Sequence, residues 1–309
     1  MTSTKNGKTL ITVIGPTAIG KTALAIQLAR HFNTHIISAD SRQFYKEMTI
    51  GTAVPTDEEL LAVPHHFVQH KSIHEQYTVG DFERDAISKL NDELFKTHTT
   101  VIMAGGSGLY VNAVLKGIDT FPEIPDTVRE SLNKTLKDKG IENLQNQLKE
   151  KDPDYFKKVD RYNPHRLIRA LEVCLASGQP YSSFLTSPRS QRSFHAILVG
   201  LTADREVIYS RINKRVDMMM SQGLLEEARS LYIHRTCNAL QTVGYRELFS
   251  YFEKKISLET AVEEIKKNTR RFAKRQLTWF KKNEDVHWFP HNTPLEKIIE
   301  EIENHIRYQ

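Results

Sequence analysis

The chain has 309 residues, 39% of them hydrophobic and 26% charged, with a formal net charge of +5. That length supports a sizeable core in one large domain or two, and the balance excludes a disordered or fibrous chain. No apolar run approaches the ~20 residues of a membrane helix, and the start MTSTKNGKTL has no apolar leader region. Cys174 and Cys237 form no C-x-x-C or Cys/His zinc spacing, so two free thiols in a reducing compartment are expected.

Residues 10–14 (LITVI) form an apolar run that meets Gly15, and GPTAIGKT (15–22) leads into a helical pattern carrying Leu24, Leu28 and Phe32. Strand, loop and helix complete G-x-x-x-x-G-K-[ST], the phosphate-cradling P-loop. Gly15 and Gly20 let the backbone turn its N–H groups inward, and the helix starting near Lys21 adds a positive dipole end. Lys21 would reach the terminal phosphate, and the Thr22 hydroxyl could sit on Mg2+. The loop specifies a phosphate and says nothing of its fate.

Residues 35–39 (HIISA) read as a second strand, followed by Asp40. A carboxylate at a strand tip beside a P-loop can hold Mg2+ through water, act as a general base or cap the following turn. Ser41, Arg42 and Gln43 supply a hydroxyl, a guanidinium and an amide, a set suited to base edges or sugar. The third strand, 100–104 (TVIMA), ends in GGSGLY (105–110) instead of an acidic Walker B residue, which weakens an ATPase reading. Its glycines admit a ligand closely, and Ser107 offers one hydroxyl. A helix over 109–115 follows.

From 121 to about 160 the pattern changes. FPEIP exits the core, and Val128, Leu132, Leu136, Ile141, Leu144 and Leu148 mark amphipathic helices in a charged background. This reads as an all-helical insertion, a surface excursion or a clamp on a large partner. In NPHRLIRALEV (163–173), Arg166 and Arg169 lie one turn apart, suited to phosphates or to surface ion pairs. Residues 196–201 (AILVGL) are a fourth strand, and Arg211 and Arg215 follow on the presumed ligand side. Beyond it the chain reads as almost wholly helical. Strands alternating with helices predict an α/β parallel sheet wrapped on both faces, with ligands at the C-terminal ends of its strands.

Between Lys266 and Lys282 stand eight Lys/Arg residues and no acid. On a helical wheel Ile265, Phe272, Ala273, Leu277, Trp279 and Phe280 fill one arc. Seven of the cations fill the other, with Lys266 at the apolar edge. A helix packed on one side and uniformly cationic on the other reads as a phosphate-backbone track.

GPTAIGKT (15–22), ADSRQFYKEMTIGTA (39–53), YTVGDFERDA (77–86), AGGSGLYVNAVLKG (104–117), NPHRLIRALEV (163–173), TVGYREL (242–248) and TRRFAKRQLTWF (269–280) occur in that order. Together they resemble the tRNA dimethylallyltransferase (tRNA isopentenyltransferase) family of bacterial type over essentially the whole chain. The resemblance implies a P-loop NTPase-like parallel sheet wrapped by helices, with a core of 1–120 and 161–309 and an all-helical insertion at 121–160. It implies transfer of a dimethylallyl group from dimethylallyl diphosphate to N6 of adenosine 37, 3′ of the anticodon, by a cytoplasmic, monomeric enzyme using Mg2+ at Thr22. Gly15, Thr17, Ala18, Ile19, Gly20, Lys21, Thr22 and Arg215 would contact the diphosphate. Lys21 and Asp40 would be catalytic, with Asp40 open between base and metal anchor, and Ser107 would orient the amine. Asp40, Ser41, Arg42, Gln43, Ser107, Arg129, His165, Arg166, Leu167, Ile168 and Arg169 would contact the tRNA anticodon stem-loop, joined by Arg270, Arg271, Lys274 and Arg275. Ile19, Ser107, His165 and Val54 depart from the family's usual small residue, threonine, glutamine and lysine. A small-molecule P-loop kinase is the rival reading, and it leaves the basic helix idle. A non-catalytic RNA-binding module is the other.

Overall fold

The computed structural model describes residues 7–185 and 191–308, and the chain divides into two units, Met1–Lys116 with Gln191–Gln309, and Gly117–Ser190. In the first unit the strands β1 (Thr9–Ile14), β2 (Ile36–Ser38), β3 (His65–His66), β4 (Thr100–Ala104), β5 (His195–Thr202) and β6 (Val286–Pro290) form one sheet in the order β3-β2-β4-β1-β5-β6. Every pairing is parallel, with Val13 opposite Ala104 on β4 and Val199 on β5. A parallel sheet covered on both faces needs strands apolar on both sides, and all six residues of β1 are buried. Alternate residues feed two separate cores. Leu10, Ile14, Val101 and Met103 pack with Phe82, Val111, Leu248 and Ile265. Ile11, Val13, Ile102 and Val199 pack with Leu24, Leu28, Ile212 and Ile302.

From β1 the chain runs toward β2 on one side, and from β4 it runs toward β5 on the other. The sheet therefore has its topological switch point between β1 and β4, where ligand crevices form in open α/β sheets. The loops leaving those two strands are the P-loop and residues 105–107.

Two strands lie outside the sequence reading. β3 has only two residues, and β6 (VHWFP) interrupts the region read as wholly helical. Both are edge strands. β6 closes on Pro290, which an edge position tolerates because no neighbour needs its missing donor.

The second unit is helical, with helices Asp126–Lys139, Ile141–Lys151, Pro153–Phe156, Pro164–Ser177 and Tyr181–Phe184. Its core joins Leu132, Leu144 and Leu148 to Leu167, Ile168 and Leu171. The expected boundary at 160/161 is therefore corrected. The helix Pro164–Ser177 belongs with the insertion because its apolar stripe closes the insertion's core, and the unit ends near Ser190. Among the described residues no helix is long and apolar enough to cross a membrane, and Cys174 and Cys237 are free thiols.

Candidate active site

The P-loop follows β1 and opens into the helix Lys21–His31. Gly15 and Gly20 have φ of 144° and 112°, in the region that favours glycine. A Cβ on Gly15 would also stand 2.6 Å from the Leu201 carbonyl oxygen. Ala18 takes φ 62°, the left-handed conformation, without being glycine. Ile19, where a small residue is usual, turns into the core and is 2% exposed.

Three cations converge on this loop. Lys21 Nζ donates to the Pro16 carbonyl at 2.8 Å, Arg211 Nε to the Ala18 carbonyl at 2.7 Å, and Arg215 reaches the Thr17 hydroxyl at 3.4 Å. Burial pulls the Lys21 pKa down to about 8, against the attraction of Asp40, and Arg215 lowers it further. Burial likewise lowers Arg215, with Asp40 and Glu59 opposing. Cations held out of water at some cost to their charged state are ready for a polyanion.

Asp40 stands just beyond β2. Its Oδ1 accepts the Arg42 N–H at 3.0 Å, so the turn-capping role and a chemical role coexist in one carboxylate. Ser107 Oγ accepts the Ser41 N–H at 3.1 Å and lies 3.1 Å from Ser41 Oγ, tying the loop after β4 to the loop after β2. Arg42 and Gln43, expected on RNA, are engaged within the protein. Arg42 donates to the Asn238 and Ala239 carbonyls at 3.1 and 3.0 Å, and Gln43 donates to the Ala53 carbonyl at 2.8 Å.

Gln276 received no role in the sequence reading and occupies the centre of the site. Its Oε1 accepts the Thr17 N–H at 2.8 Å, and its Nε2 donates to the Gly106 carbonyl at 2.9 Å. It is 6% exposed, although Lys274 and Arg275 just before it are exposed. A Cβ on Gly106 would collide with the Gln276 amide nitrogen and displace it from this contact. One side chain thus pins the basic helix Leu258–Phe280 to the P-loop and to the β4 loop. The available signal was a neutral amide inside a run of Lys and Arg, one of two there with Asn268.

Two adjoining cavities share Thr17, Asp40 and Arg215 in their walls. The first, of about 520 Å3, is lined by Asp40 and Ser107, by the apolar Val216, Met219 and Ile265, and by Arg275 and Trp279. The second, of about 1020 Å3, holds the P-loop from Thr17 to Thr22.

On the basic helix, Ile265, Ala273 and Phe280 are buried as expected, whereas Phe272 and Trp279, placed on the packed arc, are 38% and 41% exposed. Not all of the cations are free. Lys266 pairs with Asp217 and Glu263 at 2.9 and 3.0 Å, and Lys267 pairs with Glu264 at 2.7 Å. Arg270 and Arg271 bond the side-chain oxygens of Asn213 and Asn268, while Lys274, Arg275, Lys281 and Lys282 are exposed.

In the second unit, Leu167 and Ile168 bury their side chains in that unit's core, which leaves their backbone for the expected contact with RNA. Arg129 forms a two-pronged pair with buried Glu172 at 2.7 and 2.8 Å, and Arg169 joins the same carboxylate at 2.6 Å. His165 and Arg166 stand exposed at the helix start, capped by the Asn163 side chain.

A P-loop at the switch point of an all-parallel sheet, with a carboxylate at the next strand tip, defines a P-loop NTPase-like protein. Residues 43–283 match the model of one family, "IPP transferase", and the chain belongs to that family. It is 58% identical over 306 residues to the tRNA dimethylallyltransferase of Flavobacterium johnsoniae, covering 97% of this chain and 99% of that one. Its fold is similar to the crystal structure of the full-length tRNA isopentenylpyrophosphate transferase of Bacillus halodurans, with 37% identity, a TM-score of 0.70 and coverage of 97% and 96%. It also matches a eukaryotic dimethylallyltransferase acting on tRNA, with 26% identity, a TM-score of 0.78 and coverage of 93% and 75%.

Proposed function

We propose that this protein transfers the dimethylallyl group of dimethylallyl diphosphate to N6 of adenosine 37 in the anticodon loop of tRNA. The observation that carries this reading is the cavity of about 520 Å3 whose lining brings together Thr17 of the P-loop, Asp40, the apolar Val216, Met219 and Ile265, and Arg275 and Trp279 of the basic helix. A kinase of small molecules has no use for that apolar lining or for the exposed cations of the adjoining basic helix.

The P-loop N–H groups, Lys21 and Arg215 hold the diphosphate, and Val216, Met219 and Ile265 line the space for the five-carbon chain. The adenine leaves the anticodon stack and enters from the basic side, the ordinary route for chemistry on a base. As the N6–C1 bond forms, the C1–O bond breaks. The electron pair leaves with diphosphate, whose growing charge the cradle stabilises, and the N6 proton passes to the Asp40 carboxylate. Ser107, anchored on Ser41, orients the amine. Thr22 and Asp40 line the P-loop cavity with hard oxygen donors, which fit Mg2+. Thr22 would hold the ion, and when bound it supplies positive charge against the departing diphosphate. The protein acts as a monomer in the cytoplasm, where its tRNA acceptor is found.

Incubation with unmodified tRNA and either labelled dimethylallyl diphosphate or γ-labelled ATP, followed by mass analysis of the nucleosides, tests the reading. Dimethylallyladenosine is expected from the first donor alone. Label entering tRNA only from ATP would end the proposal. Asp40→Ala is expected to keep tRNA affinity and to lose turnover by about 100- to 10,000-fold.

A further inference from the structure

His287 on β6, with Glu301 and His305 on the helix Leu295–Arg307, brings a potential ligand atom from each residue within 4.8 Å of the other two. None of the three lines either cavity of the active site. We propose that His287, Glu301 and His305 form a zinc site that clips the C-terminal helix to the β6 edge of the sheet.

Glu301 and His305 lie four residues apart, which places them on one helix face. His287 comes to them through the sheet, opposite Val199 in the pairing of β6 with β5. Its Nδ1 is 3.8 Å from Glu301 Oε1. That is too long for a hydrogen bond and close to the ~3.3 Å between neighbouring ligand atoms around a tetrahedral ion with bonds of ~2.0–2.1 Å. The two imidazoles meet edge to face with centroids 4.1 Å apart. His305 Nδ1 lies 2.8 Å from the Glu301 carbonyl oxygen and 3.7 Å from Glu301 Oε1; an N–H donated to that carbonyl leaves a lone pair on Nε2, so Nε2 is the nitrogen that would bind the ion.

Two imidazoles and one carboxylate suit zinc, whereas Mg2+ prefers oxygen alone. The three side chains are 33%, 46% and 36% exposed, so an ion can reach them and water can complete the tetrahedron. Ile298 and Ile302 of the helix are buried, Leu295, Ile299 and Ile306 pack on the same core, and Glu303 pairs with His31 at 3.0 Å. A metal would add a link from its last turns to the sheet edge.

The test uses untagged full-length protein in a Cys237→Ser background, because Cys237 lies 3.8 Å from His74 and could bind zinc independently. Chelator-stripped protein is dialysed against ZnCl2 with excess Mg2+, and bound zinc is counted by mass spectrometry. One zinc per chain is expected, with a Tm about 5 °C higher at a hundredfold excess over Kd. His305→Ala and the milder Glu301→Gln, which alters only a half-exposed side chain, should each weaken Kd at least tenfold and abolish the Tm gain. Absence of stoichiometric zinc, or zinc retained unchanged in either variant, would overturn the proposal.

Discussion

Lys21 carries a pH dependence that follows from its surroundings. Burial holds its pKa near 8, below the 10.5 of a free lysine. Between those values the unfolded chain binds a proton that the folded protein has released, so ligand-free stability rises with pH through that interval. Below pH 8 the buried ammonium counts against the fold. A bound diphosphate reverses the preference by favouring the charged form. The Kd for pyrophosphate, measured by titration calorimetry, should therefore weaken above about pH 8 by up to tenfold per pH unit. A Lys21→Met variant should lose this dependence, and a flat wild-type profile would remove Lys21 from the phosphate site. Gln276 invites a second measurement at the same scale. Gln276→Leu leaves the Thr17 N–H and the buried Gly106 carbonyl without partners, which should lower urea stability by about 1–3 kcal/mol. It should also weaken pyrophosphate binding, although the side chain touches no phosphate in the proposed reaction. The P-loop was legible from its residues alone because its chemistry is local to eight consecutive positions. Gln276 was not, since its two partners lie 259 and 170 residues away.

At the scale of elements, the basic helix separates into two stretches with different expected roles. Lys266 and Lys267 are already neutralised by acids, whereas Lys274, Arg275, Lys281 and Lys282 stand exposed. Replacing the latter four with glutamine should reduce the slope of log K against log salt for tRNA binding by about 3, at ~0.7–0.9 per phosphate contact. Replacing Lys266 and Lys267 should leave that slope nearly unchanged, which a filter-binding series in KCl would show. The helix's periodicity was readable from its sequence; the acids that silence its first cations lie partly on another element, at Asp217. The helix Pro164–Ser177 teaches the same lesson. Its residues look equally suited to either unit, and only the packing of Leu167 and Leu171 on Leu132 and Leu144 assigns it to the insertion. The two missed strands are edge pieces: β3 has only two residues, too short for a periodic signal, and β6, although as long as β4, buries only Val286 and so lacks the apolar run that marks the inner strands.

For the whole molecule, the expected consequence is ligand linkage. Pyrophosphate with Mg2+ at a hundredfold excess over Kd should stabilise the protein by about 2.7 kcal/mol, a Tm gain of roughly 5 °C in a differential scanning fluorimetry trace. Lys21→Ala should lose most of that gain. An equal gain in both proteins would place the anion elsewhere.

The sequence alone determined the phosphate cradle, the alternation that builds a parallel sheet, and the cationic face of one helix. Each is written in neighbouring residues, at spacings set by the strand, the turn or the helix. Tertiary structure alone decided that Gln276 joins the P-loop to the basic helix, that Glu172 engages Arg129 and Arg169, and that His287 meets Glu301 and His305. Those arrangements depend on distant segments being brought within a few ångströms, and only the closing of the two cores around the sheet, and of the third within the helical unit, does that.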